Sequence, residues 1–200
     1  MQILGILLLA LLGQDATANA DGYFKFPKGT TWTFDKQEEG DKGSVILVVE
    51  EQTEKQTVID SKESKGAEDE ETKDETLLWY VENGLLRWAQ YGDQTEGDQP
   101  EPMFTIWKIG AKKGDTWTGM GGGAAPFALT ATHMGEASVE TPFKKFDNAI
   151  HVKMSMEEAM EGMNMVINIY LVDGIGVVKF VGEMGGESGF SLILREFKKG

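Results

Sequence analysis

The chain has 200 residues, a formal net charge of −14 and no cysteine. The strong negative charge argues against nucleic acid as a partner, because an acidic surface repels a phosphate backbone. The lack of cysteine excludes disulfides and a thiol nucleophile, and it predicts that no lipid anchor is attached through a processed Cys.

The N-terminal segment has the pattern of a secretory signal. Residues 3–12 are apolar apart from Gly5, and a short polar stretch then ends in Ala18-Asn19-Ala20. We therefore expect residues 1–20 to be a signal peptide, the mature chain to begin at Asp21 and the protein to be periplasmic or secreted. The apolar run is too short to span a bilayer, so no membrane span is expected.

The first half of the mature chain predicts strands joined by tight turns. Residues 30–35 begin a strand, and the β-branched residues 44–51 form another strand whose partner is 57–60. Residues 76–91 predict a hairpin turned at Asn83-Gly84, where both positions tolerate the positive φ of a type I′ turn. The acidic segment 61–75 is expected to be a solvated loop.

The following residues continue the same pattern. Residues 104–109, 115–118 and 127–133 are predicted strands, and residues 92–102 and 119–126 are predicted loops, acidic in the first case and glycine-rich in the second.

A long hairpin with one apolar face is predicted over residues 150–171. Ile150, Val152, Met154 and Met156 alternate with polar residues, and the alternation resumes at Met163. Gly174-Ile175-Gly176 is interpreted as a bulged turn between strands, and residues 190–197 form the last predicted strand.

These elements define the expected fold. The class is all-β: an antiparallel curved sheet, either a sandwich or a partly closed barrel, of about ten to twelve strands. No segment is long or polar enough to be an interdomain linker, so residues 21–200 are predicted to form a single β domain.

A short internal repeat predicts that the fold consists of two related halves. Residues 28–33 (KGTTWT) return as 113–118 (KGDTWT), which gives approximate halves of 23–106 and 107–200. The predicted structural residues of this repeat and of the turns are Gly29, Trp32, Asn83, Gly84, Gly114, Trp117, Gly174 and Gly176. The tryptophans are expected to seal the ends of the core and to donate their indole N–H groups.

Five methionines within twelve positions offer a possible metal site. Thioethers are soft ligands that select Cu(I). The candidates are Met154, Met156, Met160, Met163 and Met165. Most of them are in phase with the apolar face of the hairpin, so packing in the core is the favoured interpretation.

Catalytic motifs were not found. His133 and His151 lack metal or triad spacing, the 119–123 glycine run lacks the Lys-Ser/Thr of a phosphate loop, and no carboxylate pair is marked out. The sequence predicts a non-enzymatic binding or structural protein without a cofactor, whose partner is an unknown protein or a small apolar ligand. Two alternatives stay open: a carrier of a lipid-like molecule in a concave β face, and a Cu(I)-binding protein.

Three segments carry a resemblance to a known group of proteins. Residues 23–34 resemble the opening Pro-x-x-Gly-x-x-Trp-x-Tyr/Phe of a loosely defined family of uncharacterised exported bacterial envelope proteins. Residues 141–152 are similar to that family's Thr/Val-Pro-x-Gly-x-Phe-x-x-Ala-x-x-Val segment. Residues 170–179 resemble its Tyr-x-x-Gly-Val-Gly-x-Val-Lys strand. Lys145 stands where the family has Gly. The resemblance implies a β-rich fold and an envelope location more than it implies an activity.

Overall fold

The computed structural model describes residues 21–38, 40–65, 73–91, 101–121, 127–160 and 163–200. A single helical turn, α1 (Asp21–Phe24), precedes the strands. In chain order the strands are β1 (Thr31–Glu38), β2 (Asp41–Gln52), β3 (Gln56–Lys65), β4 (Lys73–Glu82), β5 (Leu85–Tyr91), β6 (Glu101–Lys108), β7 (Thr116–Gly121), β8 (Phe127–Glu140), β9 (Lys145–Met160), β10 (Met163–Val172), β11 (Gly176–Met184) and β12 (Glu187–Lys198).

The twelve strands form one antiparallel sheet that curls into a barrel. Each strand pairs with its neighbours in sequence, and β1 pairs with β12 to complete the ring. Strands β6 and β7 are joined only weakly: among the residues that the structure describes, a single position pairs them, Phe104 opposite Gly121. The predicted all-β class, its antiparallel pairing and its strand number are confirmed.

Several turns have the backbone geometry that their residues predict. Asn83 and Gly84 both have positive φ, of 51° and 73°, and they join β4 to β5 as the predicted hairpin. Gly174 and Gly176 have φ of 75° and 83°, and they flank the turn between β10 and β11. Positive φ is costly for residues with a Cβ, which is why glycine and asparagine occupy these positions.

The N-terminal segment fills one end of the barrel, which we call the plugged end. The Phe26 ring lies inside it, with ring centroids 4.8 Å from Trp32 and 6.1 Å from Trp79. The Phe26 backbone N–H donates to the Gln52 side-chain carbonyl at 2.9 Å. Because β1 starts here and runs toward Glu38, the opposite end carries Lys36, and we call it the Lys36 end.

Some predicted boundaries were wrong. The strands extend into all three predicted loops: β3 and β4 reach Lys65 and Lys73, β6 starts at Glu101, and β7 ends at Gly121. Ladder pairing across the sheet outweighs the local loop-like composition. The most acidic part of the first loop, residues 68–71, and the glycines at 122–123 lie outside the described residues. The relationship between the two halves stays a prediction.

Candidate ligand-binding site

The barrel interior contains a cavity of about 300 Å³ at the Lys36 end, and we call it the Lys36 pocket. Strands β12 and β1 to β5 supply its walls. Its apolar side chains are Val45, Leu47, Leu77, Trp88, Phe190 and Leu192. Its polar side chains are Lys36, Glu38, Ser61, Glu63 and Glu75. A mainly apolar lining with a few polar groups at one side is typical of sites for small molecules.

Alternation along the strands explains how charged residues come to face the interior. Trp32 and Phe34 are fully buried, and Lys36 and Glu38 follow them in the same phase on β1. Side chains two residues apart share a face of the sheet. Lys36 and Glu38 therefore continue an apolar interior row as it approaches the barrel end.

Two aromatic rings that line the pocket, Trp88 and Phe190, belong to a cluster of four with Phe104 and Phe180. The Phe180 ring lies 6.1 Å from Trp88, 5.8 Å from Phe104 and 5.3 Å from Phe190, measured between centroids. These contacts connect β5 and β6 with β11 and β12 across the interior. The pocket therefore occupies one side of the barrel instead of its full width.

Lys36 is the centre of an ion-pair network in the pocket. Its Nζ lies 2.7 Å from a Glu38 carboxylate oxygen and also contacts the Glu63 carboxylate. The Lys36 and Glu63 side chains are 18% and 23% exposed. Burial lowers the pKa of Lys36, but hydrogen bonds to Glu38 and Glu63 outweigh it, and the net shift is upward. The ammonium therefore stays protonated at neutral pH.

The pocket continues outward into a second cavity of about 260 Å³. The two share Lys36, Glu38 and Glu63, and the outer one adds Asp41, Lys42, Gly43 and Ser64. Together the two cavities are lined by two lysines, Lys36 and Lys42, and by four acidic residues: Glu38, Asp41, Glu63 and Glu75. Among the residues described there, negative charge is in excess.

The predicted methionine cluster is divided by the structure. Met154 is fully buried in the core, opposite Ile167. Met165 is paired with Met156 on one side and with Met184 on the other, so three thioether residues form a row across β9, β10 and β11. We call these three the methionine row. Met160 and Met163 are also paired through their backbones, and their side chains lie outside the described residues.

Sequence reasoning missed Met184 and Lys36. Met184 lies nearly twenty positions beyond the cluster in sequence, and only the β10–β11 pairing brings it next to Met165. Lys36 shares the period-two phase of Trp32 and Phe34, which indicates an interior position. It was missed because a charged residue is normally expected on the outer face of a strand.

The predicted tryptophans occupy unequal positions. Trp32 is fully buried and donates its indole N–H to the Ile175 carbonyl at 2.7 Å. Trp117 is partly buried, and within the described ranges its indole N–H has no acceptor, like those of Trp79, Trp88 and Trp107. The expectation that every indole finds a partner was wrong for these four. The glycines before the two repeat tryptophans, Gly29 and Gly114, have φ of 83° and 92°.

Both histidines have contacts that explain them structurally. His133 is buried, and its Nδ1 accepts a hydrogen bond from the Gly135 backbone N–H at 3.0 Å. His151 stacks on Tyr170, with centroids 4.6 Å apart, and its Nε2 lies 2.9 Å from Asn168 Oδ1. Within the described ranges, no group of three or more His, Asp or Glu residues is arranged to hold a metal ion.

None of the helical residues described forms a segment long and apolar enough to cross a membrane.

Comparison with known proteins identifies the fold class. No protein-family model matches the chain, and no curated protein matches it in sequence. Its fold is similar to that of a proposed exported protein with a YmcC-like fold from Bacteroides fragilis, with a TM-score of 0.61 and 14% identity over 88% of this chain and 99% of the other. A proposed lipoprotein from Parabacteroides distasonis is also similar, with a TM-score of 0.53 and 12% identity over 89% of this chain and 100% of the other. At these identities the likeness describes the fold alone.

Proposed function

We propose that the protein is an exported, non-enzymatic binding protein of the bacterial envelope that carries a small apolar ligand in the Lys36 pocket. The observation that carries this proposal is the pocket itself: six apolar side chains and a charged rim surround a cavity of about 300 Å³ inside the barrel. Barrels of this kind hold ligands where side chains leave the interior unfilled.

Two independent features support an exported location. The first is the signal-like pattern of residues 1–20, with its small residues at Ala18 and Ala20. The second is the likeness in fold to one proposed exported protein and one proposed lipoprotein.

The chemistry of the pocket favours recognition over catalysis. A lysine that acts as nucleophile or base needs a lowered pKa so that the neutral amine is available. The pKa of Lys36 is raised, because its hydrogen bonds to Glu38 and Glu63 outweigh the effect of burial. We therefore assign Lys36 and its partners to the binding of a ligand.

Native mass spectrometry of protein purified from its own host tests the proposal directly. We expect a bound small molecule that is released on denaturation. Displacement of a neutral fluorescent dye by long-chain alcohols provides a second readout. A bare protein mass together with an absence of dye binding would contradict the proposal.

A matched pair of variants locates the ligand. Leu192→Trp places bulk into the pocket, whereas Ile193→Trp places the same bulk at the next position of β12, which does not line it. We expect Leu192→Trp to weaken dye binding at least about tenfold and Ile193→Trp to leave it nearly unchanged. Circular dichroism confirms that both variants fold.

The methionine row favours a second candidate function, Cu(I) binding. Met156, Met165 and Met184 are directly paired across three adjacent strands, which places three soft ligands on one face. This candidate predicts stoichiometric Cu(I) uptake that Met165→Leu weakens, while Met134→Leu, at an exposed position on β8, does not. Unchanged Cu(I) affinity after replacement of all three row methionines by Leu would exclude this site.

A further inference from the structure

The Lys36 pocket is closed at its inner end. On each of the six strands that line it, the residue two positions farther toward the plugged end is apolar, at most 2% exposed and part of the buried core. We call these the floor residues: Phe34, Val49, Ile59, Trp79, Leu86 and Leu194. Because protein interiors are packed as densely as organic crystals, this layer stops a ligand from passing deeper into the barrel.

The outer end of the pocket is polar. The second cavity continues from it, and the residues that the structure describes around that cavity are charged or polar, apart from Gly43. The six apolar lining side chains belong to the inner cavity. An amphiphile is therefore accommodated in one orientation, with its apolar chain directed at the floor residues and its polar group in the outer cavity.

The volume of the pocket limits the length of that chain. The cavity measures about 300 Å³. An apolar protein cavity of about 150 Å³ binds benzene, which has six carbons. On this scale the Lys36 pocket holds about ten to twelve carbons. One alkyl chain of medium length fills this volume, and the two chains of a membrane lipid exceed it.

We propose that the ligand of the Lys36 pocket is an amphiphile that inserts a single alkyl chain, and that the floor residues limit the inserted length to about ten to twelve carbons. The chain packs against Leu47, Leu77 and Leu192, which line the pocket. The polar group of the ligand lies in the outer cavity. This inference rests on the proposed function, because it names the chemical class of the ligand that the pocket carries.

A series of straight-chain alcohols tests the inference on the full mature protein. Alcohols from hexanol to tetradecanol, each kept below its solubility limit, are titrated against a neutral dye bound to the protein. They carry no charge, so the result does not depend on the ion pairs at the rim. Each buried methylene should tighten binding about threefold to fourfold. We expect this gain to fall below about 1.5-fold per methylene beyond about ten to twelve carbons, because further methylenes lie in the polar outer cavity.

A second comparison tests whether one chain or two enter the pocket. Monodecanoylglycerol and didecanoylglycerol have the same neutral head group and chain length. We expect their affinities to agree within about threefold, because the second chain stays outside. If the second chain tightens binding about tenfold or more, the single-chain inference is wrong.

A matched pair of variants tests whether the pocket sets the length limit. Val45→Phe adds about four carbons to a side chain that lines the pocket, whereas Ile46→Phe places the same ring at the next position of β2, which is 38% exposed. We expect the limit to shorten by about three to four carbons in Val45→Phe and to stay unchanged in Ile46→Phe. Circular dichroism checks that both variants fold; if Val45→Phe does not, the wild-type alcohol series decides.

The possible outcomes separate the inference from the function on which it rests. If affinity keeps rising by the same factor through tetradecanol, the floor residues do not limit the chain, and the inference is wrong while the apolar pocket stands. A limit that is the same in wild type and in folded Val45→Phe, or that shortens equally in Ile46→Phe, also overturns it. If none of the alcohols displaces the dye, the proposed carrier function fails, and the inference fails with it.

Discussion

The rings of Phe180 and Trp88 meet at a centroid distance of 6.1 Å, although their strands, β11 and β5, lie on opposite sides of the ring of twelve strands. Contact between side chains of opposite strands requires a flattened barrel, because a round one of this size would keep them apart. The contact fills the middle of the interior and confines the Lys36 pocket to one side.

Removal of the Phe180 ring should therefore destabilise the whole barrel. Phe180 is 3% exposed and contacts three other aromatic rings. We expect Phe180→Ala to lower the free energy of unfolding by about 3–5 kcal/mol, through lost burial and the cavity left behind. Urea unfolding measures this change. Phe143→Ala, at a partly buried ring in the β8–β9 turn, should cost less than half as much; equal costs would contradict a central role for Phe180.

Two glycines of one turn should respond differently to alanine. Both Gly174 and Gly176 have positive φ, so alanine costs about 1 kcal/mol of backbone strain at either position. A Cβ at Gly176 would also lie 3.2 Å from Phe26 Cζ and from Trp79 Cζ3, whereas one at Gly174 would meet nothing within 4 Å.

We therefore expect Gly176→Ala to lower the free energy of unfolding by at least about 1 kcal/mol more than Gly174→Ala. Thermal or urea unfolding of the two variants side by side gives the difference. Equal effects would show that the Phe26 and Trp79 rings move aside without a loss of stability.

Gly182 is expected to control the shape of the Lys36 pocket through Phe190. The two residues are directly paired between β11 and β12, and a Cβ at Gly182 would overlap the Phe190 ring. Gly182→Ala should push this ring out of place and weaken dye binding by about fivefold or more. Gly189→Ala is the control, because a Cβ there would be 3.5 Å from the Gly182 carbonyl oxygen, an ordinary contact. If Gly182→Ala binds the dye with wild-type affinity, the position of the Phe190 ring does not determine the shape of the pocket.

The Lys36 network should stabilise the fold in a pH-dependent way. The folded-state pKa of Lys36 is raised above its usual 10.5, since hydrogen bonds to Glu38 and Glu63 outweigh burial. A group with a raised pKa contributes its full stability below the unfolded pKa, and this contribution is lost as pH rises through the folded pKa.

The difference in free energy of unfolding between wild type and Lys36→Met should thus be on the order of 1 kcal/mol at neutral pH and should shrink above about pH 10.5. Urea unfolding across pH 7 to 11 measures it. Lys198→Met, which removes an exposed pair with Glu196, controls for general effects of alkaline pH. A difference that stays constant or grows with pH would contradict the proposed network.

Local patterns were sufficient to predict the strands and several turns. The alternation at Val152 and Met154 placed both side chains in the core, and Asn83-Gly84 predicted the hairpin turn, because strand phase and positive φ are properties of a few adjacent residues. Strand ends were predicted less well, because backbone hydrogen bonds between neighbouring strands extend the strands into segments whose composition is typical of loops.

The candidate site depended on contacts that local patterns do not encode. The sheet closes because β1 pairs with β12, from the two ends of the chain. Its interior is partly filled by rings such as Phe180 and Trp88, which are far apart in the chain and meet across the barrel. Lys36 faces Glu63 because β1 and β3 both flank β2, and Met184 joins Met165 because β11 lies beside β10. The sequence by itself determined where most strands lie, apart from their ends, and which side of a strand such as β9 is apolar. The tertiary structure alone decided which interior side chains meet, because burial and ion pairing depend on distances in space.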